Sequence, residues 1–228
     1  MASKACRDGG SEVNPGTLGE GVETMLGDLP MYCPVPWSGP PTSTVAVIVV
    51  YDIFAFNISN TRAQCDRLAA EGFRVVMPDF YRGGVSPMQD PSLGDFGAWV
   101  SSGHRAWDSV EKDLEAVSAS LIGEGATSVV VLGFCWGGYI AALAAATGKY
   151  ACAIGIHAAL KLSGEESGAA LVAQSKCPLM FLQAGNDPDL RPTYEALKAV
   201  PDLAESCAWY IRIPAVDSSS NSLLFIRE

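Results

Sequence analysis

The stretch that decides the fold is residues 129–146, which read VVVLGFCWGGYIAALAAA. An apolar run typical of a buried strand leads into a Gly-x-Cys-x-Gly turn, and an Ala-rich helix follows at once. This is the pattern of a nucleophile elbow, a sharp and strained turn that needs small flanking residues and lifts its central side chain clear of the sheet. Cys135 occupies that central position.

The position of Cys135 at a helix N-terminus favours a reactive thiol. Unpaired N–H groups and the positive end of the helix dipole stabilise a thiolate, so we expect Cys135 to be the most acidic of the seven cysteines. The following N–H, on Trp136, is placed to donate to an oxyanion formed during attack by the sulfur. The alternative is a small apolar cysteine that only packs at the start of the helix. The coincidence of strand, glycines and helix favours the nucleophile.

Length and composition indicate one folded domain. The 228 residues are 49% hydrophobic and 18% charged, with a mean hydropathy of +0.20. A chain of this length can bury one substantial core. Parallel strands covered on both faces account for the apolar composition, because they read as continuous apolar runs.

Charge and cysteine content narrow the partner and the compartment. The net charge of −10 opposes binding to nucleic acid or to an anionic membrane, so a small molecule is the expected partner. No apolar run reaches the roughly 18 residues that cross a bilayer, and residues 1–16 lack the apolar segment of a secretory signal. Seven cysteines without metal-ligand spacing indicate reduced thiols, no metal site and a cytoplasmic location.

Alternating patterns along the chain predict an open, mostly parallel sheet with helices between its strands. We interpret residues 1–21 as a flexible arm, 22–214 as the folded domain and 215–228 as an atypical Ser-rich tail. The predicted elements are a hairpin within 22–34, strands at 45–51, 73–77, 129–132, 152–156, 179–182 and 209–213, and helices capped by Ser59 or Asn60, within 99–122, after Cys135 and at 193–200. In such sheets ligands bind beyond the carboxyl ends of the strands.

Five blocks of sequence near these strand ends resemble the dienelactone hydrolase family, the carboxymethylenebutenolidase-like branch of the α/β hydrolases. The resemblance covers roughly residues 26–214. The blocks are Tyr51-Asp52-Ile53-Phe54, Asn60-Thr61-Arg62, Pro78-Asp79-Phe80-Tyr81-Arg82-Gly83, Gly133-Phe134-Cys135-Trp136-Gly137-Gly138 and Gly185-Asn186-Asp187. The resemblance implies an α/β-hydrolase-like three-layer sandwich, a small ester or lactone as substrate, and no cofactor.

The resemblance also implies a Cys-His-Asp triad, in which Cys135 is the nucleophile and Asp187 orients the histidine. The N–H of Ile53 corresponds to the family's second oxyanion donor, beside that of Trp136. An ordinary turn or cap residue is the alternative interpretation of Asp187, and Asp189 is its nearby competitor.

Three further residues are implied to line the pocket. Asp52 matches a position where the family carries an acidic residue near the resting cysteine, although a plain strand-end turn explains it almost as well. Tyr81 and Arg82 resemble pocket residues. Arg82 is a candidate clamp for a substrate carboxylate, because its planar guanidinium can bind two oxygens together, and a surface arginine is the alternative.

The histidine of the implied triad is absent from its expected place. The family carries it after the last strand in a loop similar to Pro-Gly-x-His-Gly-Phe, whereas residues 214–221 read PAVDSSSN, with Ser218 near the expected position. The residues after Ser218 are also too few for the family's C-terminal helix, so this element is expected to be incomplete. We interpret the change as an altered reading frame, a retained intron or an alternative exon.

Two histidines occur elsewhere in the chain. His104 lies among Ser, Gly and Arg residues, which favours exposure to solvent. His157 follows a predicted strand on the same edge as Cys135. Structural packing is the favoured interpretation of His157, and a substitute base or a substrate contact is the alternative.

The leading hypothesis is a hydrolase of small esters or lactones that uses Cys135. Its turnover is expected to be impaired, since removal of a general base commonly costs several powers of ten in rate. One alternative is a catalytically inactive small-molecule-binding protein with the same fold. A second alternative is a thiol redox sensor, which an acidic Cys135 would permit.

Overall fold

The computed structural model describes residues 21–34, 41–54, 56–164, 167–185, 187–201, 203 and 208–213. The predicted arm, apart from Gly21, and the predicted tail with Ser218 therefore lie outside the described residues. The strands of the described part are β1 Val22–Leu26, β2 Leu29–Cys33, β3 Val45–Val50, β4 Arg74–Pro78, β5 Ser128–Phe134, β6 Cys152–Ile156, β7 Leu179–Ala184 and β8 Ala208–Ile213. They form one eight-stranded sheet in the order β1-β2-β4-β3-β5-β6-β7-β8.

The pairing of the strands confirms a mostly parallel sheet with an antiparallel hairpin at one edge. β1 and β2 pair antiparallel, as do β2 and β4. All pairings from β4 through β3 to β8 are parallel. The hairpin turns at Gly27, whose φ of 63° lies in the left-handed region that glycine adopts without strain.

Helices cover the sheet on both faces. The helices of the described residues are α1 Ser59–Ala70, α2 Phe96–Val100, α3 Trp107–Gly123, α4 Trp136–Thr147, α5 Ala169–Val172 and α6 Arg191–Lys198. Crossovers between parallel strands are right-handed, so the connection from β3 back to β4 places α1 on one face. The connections from β4 to β5 and from β5 to β6 run the other way and place α3 and α4 on the opposite face.

The long amphipathic helix predicted within 99–122 is confirmed as α3, which begins at Trp107. Before it, α2 ends at Val100 and a short 3-10 turn spans Gly103–Arg105. Gly103, the first residue of this turn, has a φ of 58°. The N-cap of α1 is Ile58, without a side-chain cap hydrogen bond, instead of Ser59 or Asn60.

The core lies against the central strands, which positions the ends of β3 and β5 side by side. Residues 46–50 of β3 are buried, and α3 packs on β3 and β5 through a buried stripe. That stripe consists of Val110, Leu114, Val117 and Leu121. β4 lies on one side of β3 and β5 on the other, so the strand order changes direction between β3 and β5. Open α/β sheets bind ligands at such a point. Within the described residues, no helix combines the length and the apolar content needed to cross a membrane.

Candidate active site

Cys135 lies in a strained turn between β5 and α4. Its backbone has a φ of 51° and a ψ of −107°, a conformation that residues other than glycine rarely adopt. The N–H of Cys135 donates to the carbonyl of Ile156 at 3.0 Å, and its carbonyl accepts from the N–H of Ala159 at 2.9 Å. The residue is 7% exposed. Strain that is held in place by such contacts is typical of a nucleophile elbow.

Glycines are required around Cys135 because backbone segments meet closely there. A Cβ on Gly133 would collide with the carbonyl oxygen of Gly137. A Cβ on Gly137 would collide in turn with the carbonyl oxygen of Val50, at the end of β3. The elbow therefore packs directly onto the neighbouring strand, and the glycine pattern in the sequence reflects this contact.

Two backbone N–H groups near Cys135 donate no hydrogen bond within the described residues. They belong to Trp136, the first residue of α4, and to Ile53, in the turn after β3. Both residues are almost fully buried. Val50 pairs with Gly133, so the turns that carry the two N–H groups leave the same edge of the sheet. Buried N–H groups without partners are rare, and acyl transfer needs such donors beside the nucleophile.

His157 and Asp187 are in contact, which agrees with the alternative interpretation of His157 as a substitute base. Nδ1 of His157 lies within hydrogen-bond distance of Oδ1 of Asp187. The other carboxylate oxygen, Oδ2, accepts from the N–H of Ala184 at 2.7 Å. The Asp187 carboxylate is 3% exposed and the His157 imidazole 24% exposed, so the pair is shielded but reachable from one side. A buried carboxylate in this arrangement fixes the orientation and tautomer of an imidazole.

Asp189, the competitor of Asp187, has another partner. Its carboxylate binds the guanidinium of Arg191 at 2.6 to 2.9 Å, and both side chains are at least half exposed. Asp187 is thus the aspartate that the structure places against an imidazole.

Tyr81 lies in an aromatic cluster beside the elbow. Its ring centroid is 5.1 Å from that of Trp136 and 4.9 Å from that of Trp99. Its hydroxyl is buried and has no hydrogen-bond partner among the described residues. Burial raises the pKa of Tyr81 well above its ordinary value, electrostatic interactions with Asp52 and Cys135 raise it further, and the interaction with Arg105 opposes them. Tyr81 therefore interacts electrostatically with both Cys135 and Arg105.

Asp52 and Arg82 make local contacts of their own. Oδ1 of Asp52 accepts from the N–H of Phe54 at 2.8 Å, which stabilises the turn that carries Ile53. The guanidinium of Arg82 binds Asp113 of α3 through two hydrogen bonds of 2.6 and 2.9 Å, and both side chains are 16% exposed. These hydrogen bonds raise the pKa of Arg82. The fork that a substrate carboxylate would need is occupied by Asp113, so the structure does not support Arg82 as a clamp.

A cavity of about 410 Å³ lies beside the first turn of α4. Its wall includes Trp136 and Tyr139 from α4, with Arg105 from the turn before α3. The guanidinium of Arg105 stacks over Trp99 at 4.1 Å and donates to the Trp99 carbonyl at 2.9 Å. Among the described residues, no carboxylate lies within ion-pair distance of Arg105. The sequence prediction did not include Arg105, which lies among Ser and Gly residues just before α3.

Two other observations delimit the site. His104 lies on the exposed 3-10 turn Gly103–Arg105, as the sequence predicted. Across the described part of the chain, no three His, Cys, Asp or Glu side chains converge in a way that could hold a metal ion.

Comparison with known sequences identifies one family. Residues 36–200 match the model described as the dienelactone hydrolase family. A carboxymethylenebutenolidase homolog of Xenopus tropicalis is 32% identical over 144 residues, which are 61% of this chain and 56% of that protein. The homolog of Rattus norvegicus is 30% identical over 172 residues, which are 74% of this chain and 66% of that protein. The matched part thus spans less than two thirds of the length of these curated relatives.

Solved structures show the same fold. A dienelactone hydrolase-like promiscuous phosphotriesterase from metagenomic libraries superposes with a TM-score of 0.61 at 16% identity, over 85% of this chain and 81% of that one. A Xanthomonas campestris protein, described as a member of the α/β serine hydrolases without a lid, gives 0.53 at 19% identity, over 86% and 84%. These likenesses confirm the predicted α/β-hydrolase fold.

Proposed function

Because this chain belongs to the dienelactone hydrolase family, we propose that it hydrolyses small esters or lactones with Cys135 as the nucleophile. The observation that carries this proposal is the strained backbone of Cys135, at a φ of 51° and a ψ of −107°, directly before α4. Backbone strain of this kind costs about 1–3 kcal/mol. A residue that only filled space with a small apolar side chain would not need it, so a functional role for the thiol explains why the strain persists.

The proposed reaction is acyl transfer to sulfur followed by hydrolysis. The Cys135 thiol loses its proton as the sulfur attacks the carbonyl carbon and a C–S bond forms, and the C–O bond to the alcohol breaks as the alcohol oxygen takes up that proton. Water then attacks the thioester, which releases the acid and restores the thiol. The N–H groups of Trp136 and Ile53 are proposed to hold the oxyanion in both steps, since neither has a hydrogen-bond partner within the described residues. Protein groups and water suffice, so the proposed reaction needs no cofactor.

We propose that the substrate is small and carries an anionic group. The Tyr81 hydroxyl lacks a hydrogen-bond partner in the described part of the chain, and a bound ester could supply the acceptor. Asp52 stabilises the turn that carries Ile53. Arg105 lines the 410 Å³ cavity next to Trp136, and it is the cation we propose to meet a substrate carboxylate.

We also propose a class of partner and a cellular location. The net charge of −10 favours a small molecule over nucleic acid or membrane as partner. We propose a cytoplasmic location, in which cysteines stay reduced.

The test measures turnover of a small chromogenic ester, p-nitrophenyl acetate, and of dihydrocoumarin as a lactone, by the full chain. We expect Cys135→Ala to lower kcat/KM by about a thousandfold or more, because the nucleophile is lost. Cys33→Ala is the matched control: it removes a thiol from β2, which lies next to the edge strand β1 and three positions from β5 in the sheet, and should leave turnover unchanged.

The other outcomes separate the competing hypotheses. Full turnover by Cys135→Ala would contradict the proposal. Binding of the ester by the wild-type chain without turnover would indicate an inactive binding protein. Absence of turnover together with selective peroxide oxidation of Cys135 would favour the redox sensor.

A further inference from the structure

We propose that His157, at the end of β6, is the general base for Cys135, so that the triad takes its histidine from a different strand than the family resemblance implies. This inference rests on the proposed function. It is carried by the contact between Nδ1 of His157 and the buried carboxylate of Asp187. The place where the family's histidine is expected, near Ser218, lies outside the described residues.

The order of the strands places the three residues in a row. Cys135 follows β5, His157 follows β6 and Asp187 lies just beyond β7, and these strands are neighbours in the sheet. Phe134 pairs with Ile156 across β5 and β6, so the next residues on each strand are the nucleophile and the histidine. The middle strand of the three thus supplies the imidazole.

Backbone hydrogen bonds attach the segment around His157 to Cys135. The N–H of Cys135 donates to the carbonyl of Ile156, immediately before His157. The carbonyl of Cys135 accepts from the N–H of Ala159, two residues after it. The N–H of His157 itself donates to the carbonyl of Leu182 in β7 at 2.9 Å. The histidine is therefore fixed between the nucleophile's strand and the aspartate's strand.

His157 resembles Cys135 in its backbone strain. Its φ is 52°, beside 51° for Cys135, and only one other described residue besides glycine, Arg82, has a positive φ. Positive φ at a side chain larger than glycine marks positions where the surrounding structure imposes a geometry. Asp187 is held as well, since Oδ2 accepts from the N–H of Ala184 while Oδ1 is directed to the imidazole.

The proton path follows from this arrangement. With Nδ1 directed to Asp187, proton transfer takes place at Nε2. Nε2 takes the proton from the Cys135 thiol as the sulfur attacks the carbonyl carbon, and it gives that proton to the departing alkoxide. In the second half, Nε2 takes a proton from water, whose oxygen attacks the thioester, and returns it to the sulfur as the C–S bond breaks. Asp187 stabilises the imidazolium in both halves.

The test compares two histidine variants of the full chain. His157→Asn is preferred over alanine, because asparagine tolerates positive φ and its amide can still donate to Asp187. His104→Asn is the matched control, since it makes the same change at the exposed histidine of the Gly103–Arg105 turn. Two quantities are measured at pH 5 to 10: kcat/KM for p-nitrophenyl acetate, and the rate of alkylation of Cys135 by iodoacetamide, located by peptide mass spectrometry.

We expect His157→Asn to lower kcat/KM by about 10² to 10⁴. The pH midpoint for alkylation of Cys135 should also rise by about one unit or more, because a neighbouring imidazolium no longer stabilises the thiolate. His104→Asn should match the wild type in both measurements. A histidine that only packs would change neither the midpoint nor the shape of the profile.

The outcomes distinguish this inference from the proposed function. Wild-type rates and an unchanged alkylation midpoint in His157→Asn would overturn the role of His157, while loss of turnover in Cys135→Ala would still support the nucleophile. If the wild type does not turn over esters, the proposed function fails, and the alkylation profile still decides whether His157 acts on the thiol. If His157→Asn does not fold, Asp187→Asn gives the second measurement, with the same upward shift expected.

Discussion

Two groups of polar side chains stand on the same edge of the sheet, and they differ in where their hydrogen bonds lead. The first follows β4 and contains Asp79, whose carboxylate accepts from the Tyr51 hydroxyl at 3.0 Å and from the N–H groups of Tyr81 and Gly83 at 3.1 and 2.5 Å. Asp79 is 2% exposed. We call this group the β4 cluster; its donors all come from its own turn and from the adjacent end of β3, and they close the turn.

The second group, which we call the β5–β7 cluster, consists of Cys135, His157 and Asp187. Only one carboxylate oxygen of Asp187 accepts from the backbone, at the N–H of Ala184, and the other contacts the imidazole of His157. Two of its three members have a positive φ. A buried aspartate with three internal donors stabilises a turn, whereas one that shares its oxygens between backbone and imidazole orients a titratable group.

Residue type and strand-end position alone do not decide the role of an aspartate. Both clusters follow buried strands and both contain a carboxylate that is at most 3% exposed. The partners separate them. The β4 cluster should therefore matter mainly for stability and the β5–β7 cluster mainly for activity, and the same substitution in each cluster tests this division.

Asp187→Asn is expected to have the largest effect. The asparagine amide cannot stabilise an imidazolium and favours the wrong tautomer, so kcat/KM for p-nitrophenyl acetate should fall by about 10² to 10⁴. The free energy of unfolding, measured in urea, should change by only about 1 kcal/mol, because the amide oxygen can still accept from the N–H of Ala184. A loss of stability without loss of activity would show that the β5–β7 cluster is structural.

Asp79→Asn is the counterpart in the β4 cluster. The amide retains one acceptor for three buried donors and adds donors of its own, so the free energy of unfolding should fall by about 2–4 kcal/mol. The measurement is urea unfolding followed by tryptophan fluorescence. At a temperature where the variant is folded, kcat/KM should fall less than tenfold, a smaller loss than we expect from Asp187→Asn. A more than tenfold fall in kcat/KM without a fall in the free energy of unfolding would show that the β4 cluster matters mainly for activity.

Much of the fold could be predicted because each strand carries its own signal. β3 and β5 are uninterrupted apolar runs, and the hairpin before them turns at Gly27. The break between α2 and α3 could not be predicted from apolar spacing alone, since Trp99 and Val110 fit one helical period across a segment that turns at Gly103.

The site was predictable where backbone geometry demands particular residues. Cys135 stands out because Gly133 and Gly137 have no room for a side chain. The partner of Asp187 was not predictable, since strand position puts His157 on the correct edge but does not say which side chains meet across β6 and β7. The family resemblance implies a base near Ser218 instead.

The roles of Arg82 and Arg105 were not predictable from the local sequence either. The resemblance favoured Arg82, and no local pattern reveals that Asp113, 31 residues later on α3, binds its guanidinium. Arg105 stacks on Trp99 and has no carboxylate partner among the described residues. Arg82 therefore belongs with the β4 cluster and stabilises the fold, whereas Arg105 lines the cavity beside Trp136.

Matched substitutions of these arginines are expected to have the smallest effects. Arg105→Gln should raise KM about tenfold for an ester that carries a carboxylate, such as mono-p-nitrophenyl succinate, relative to neutral p-nitrophenyl acetate, which corresponds to about 1.4 kcal/mol. Arg82→Gln should change both KM values alike and lower the free energy of unfolding by about 2 kcal/mol, because it removes the pair with Asp113. If Arg82→Gln alone discriminated between the two esters, the carboxylate would bind at the β4 cluster, and the division between a structural and a chemical part of this edge would not hold.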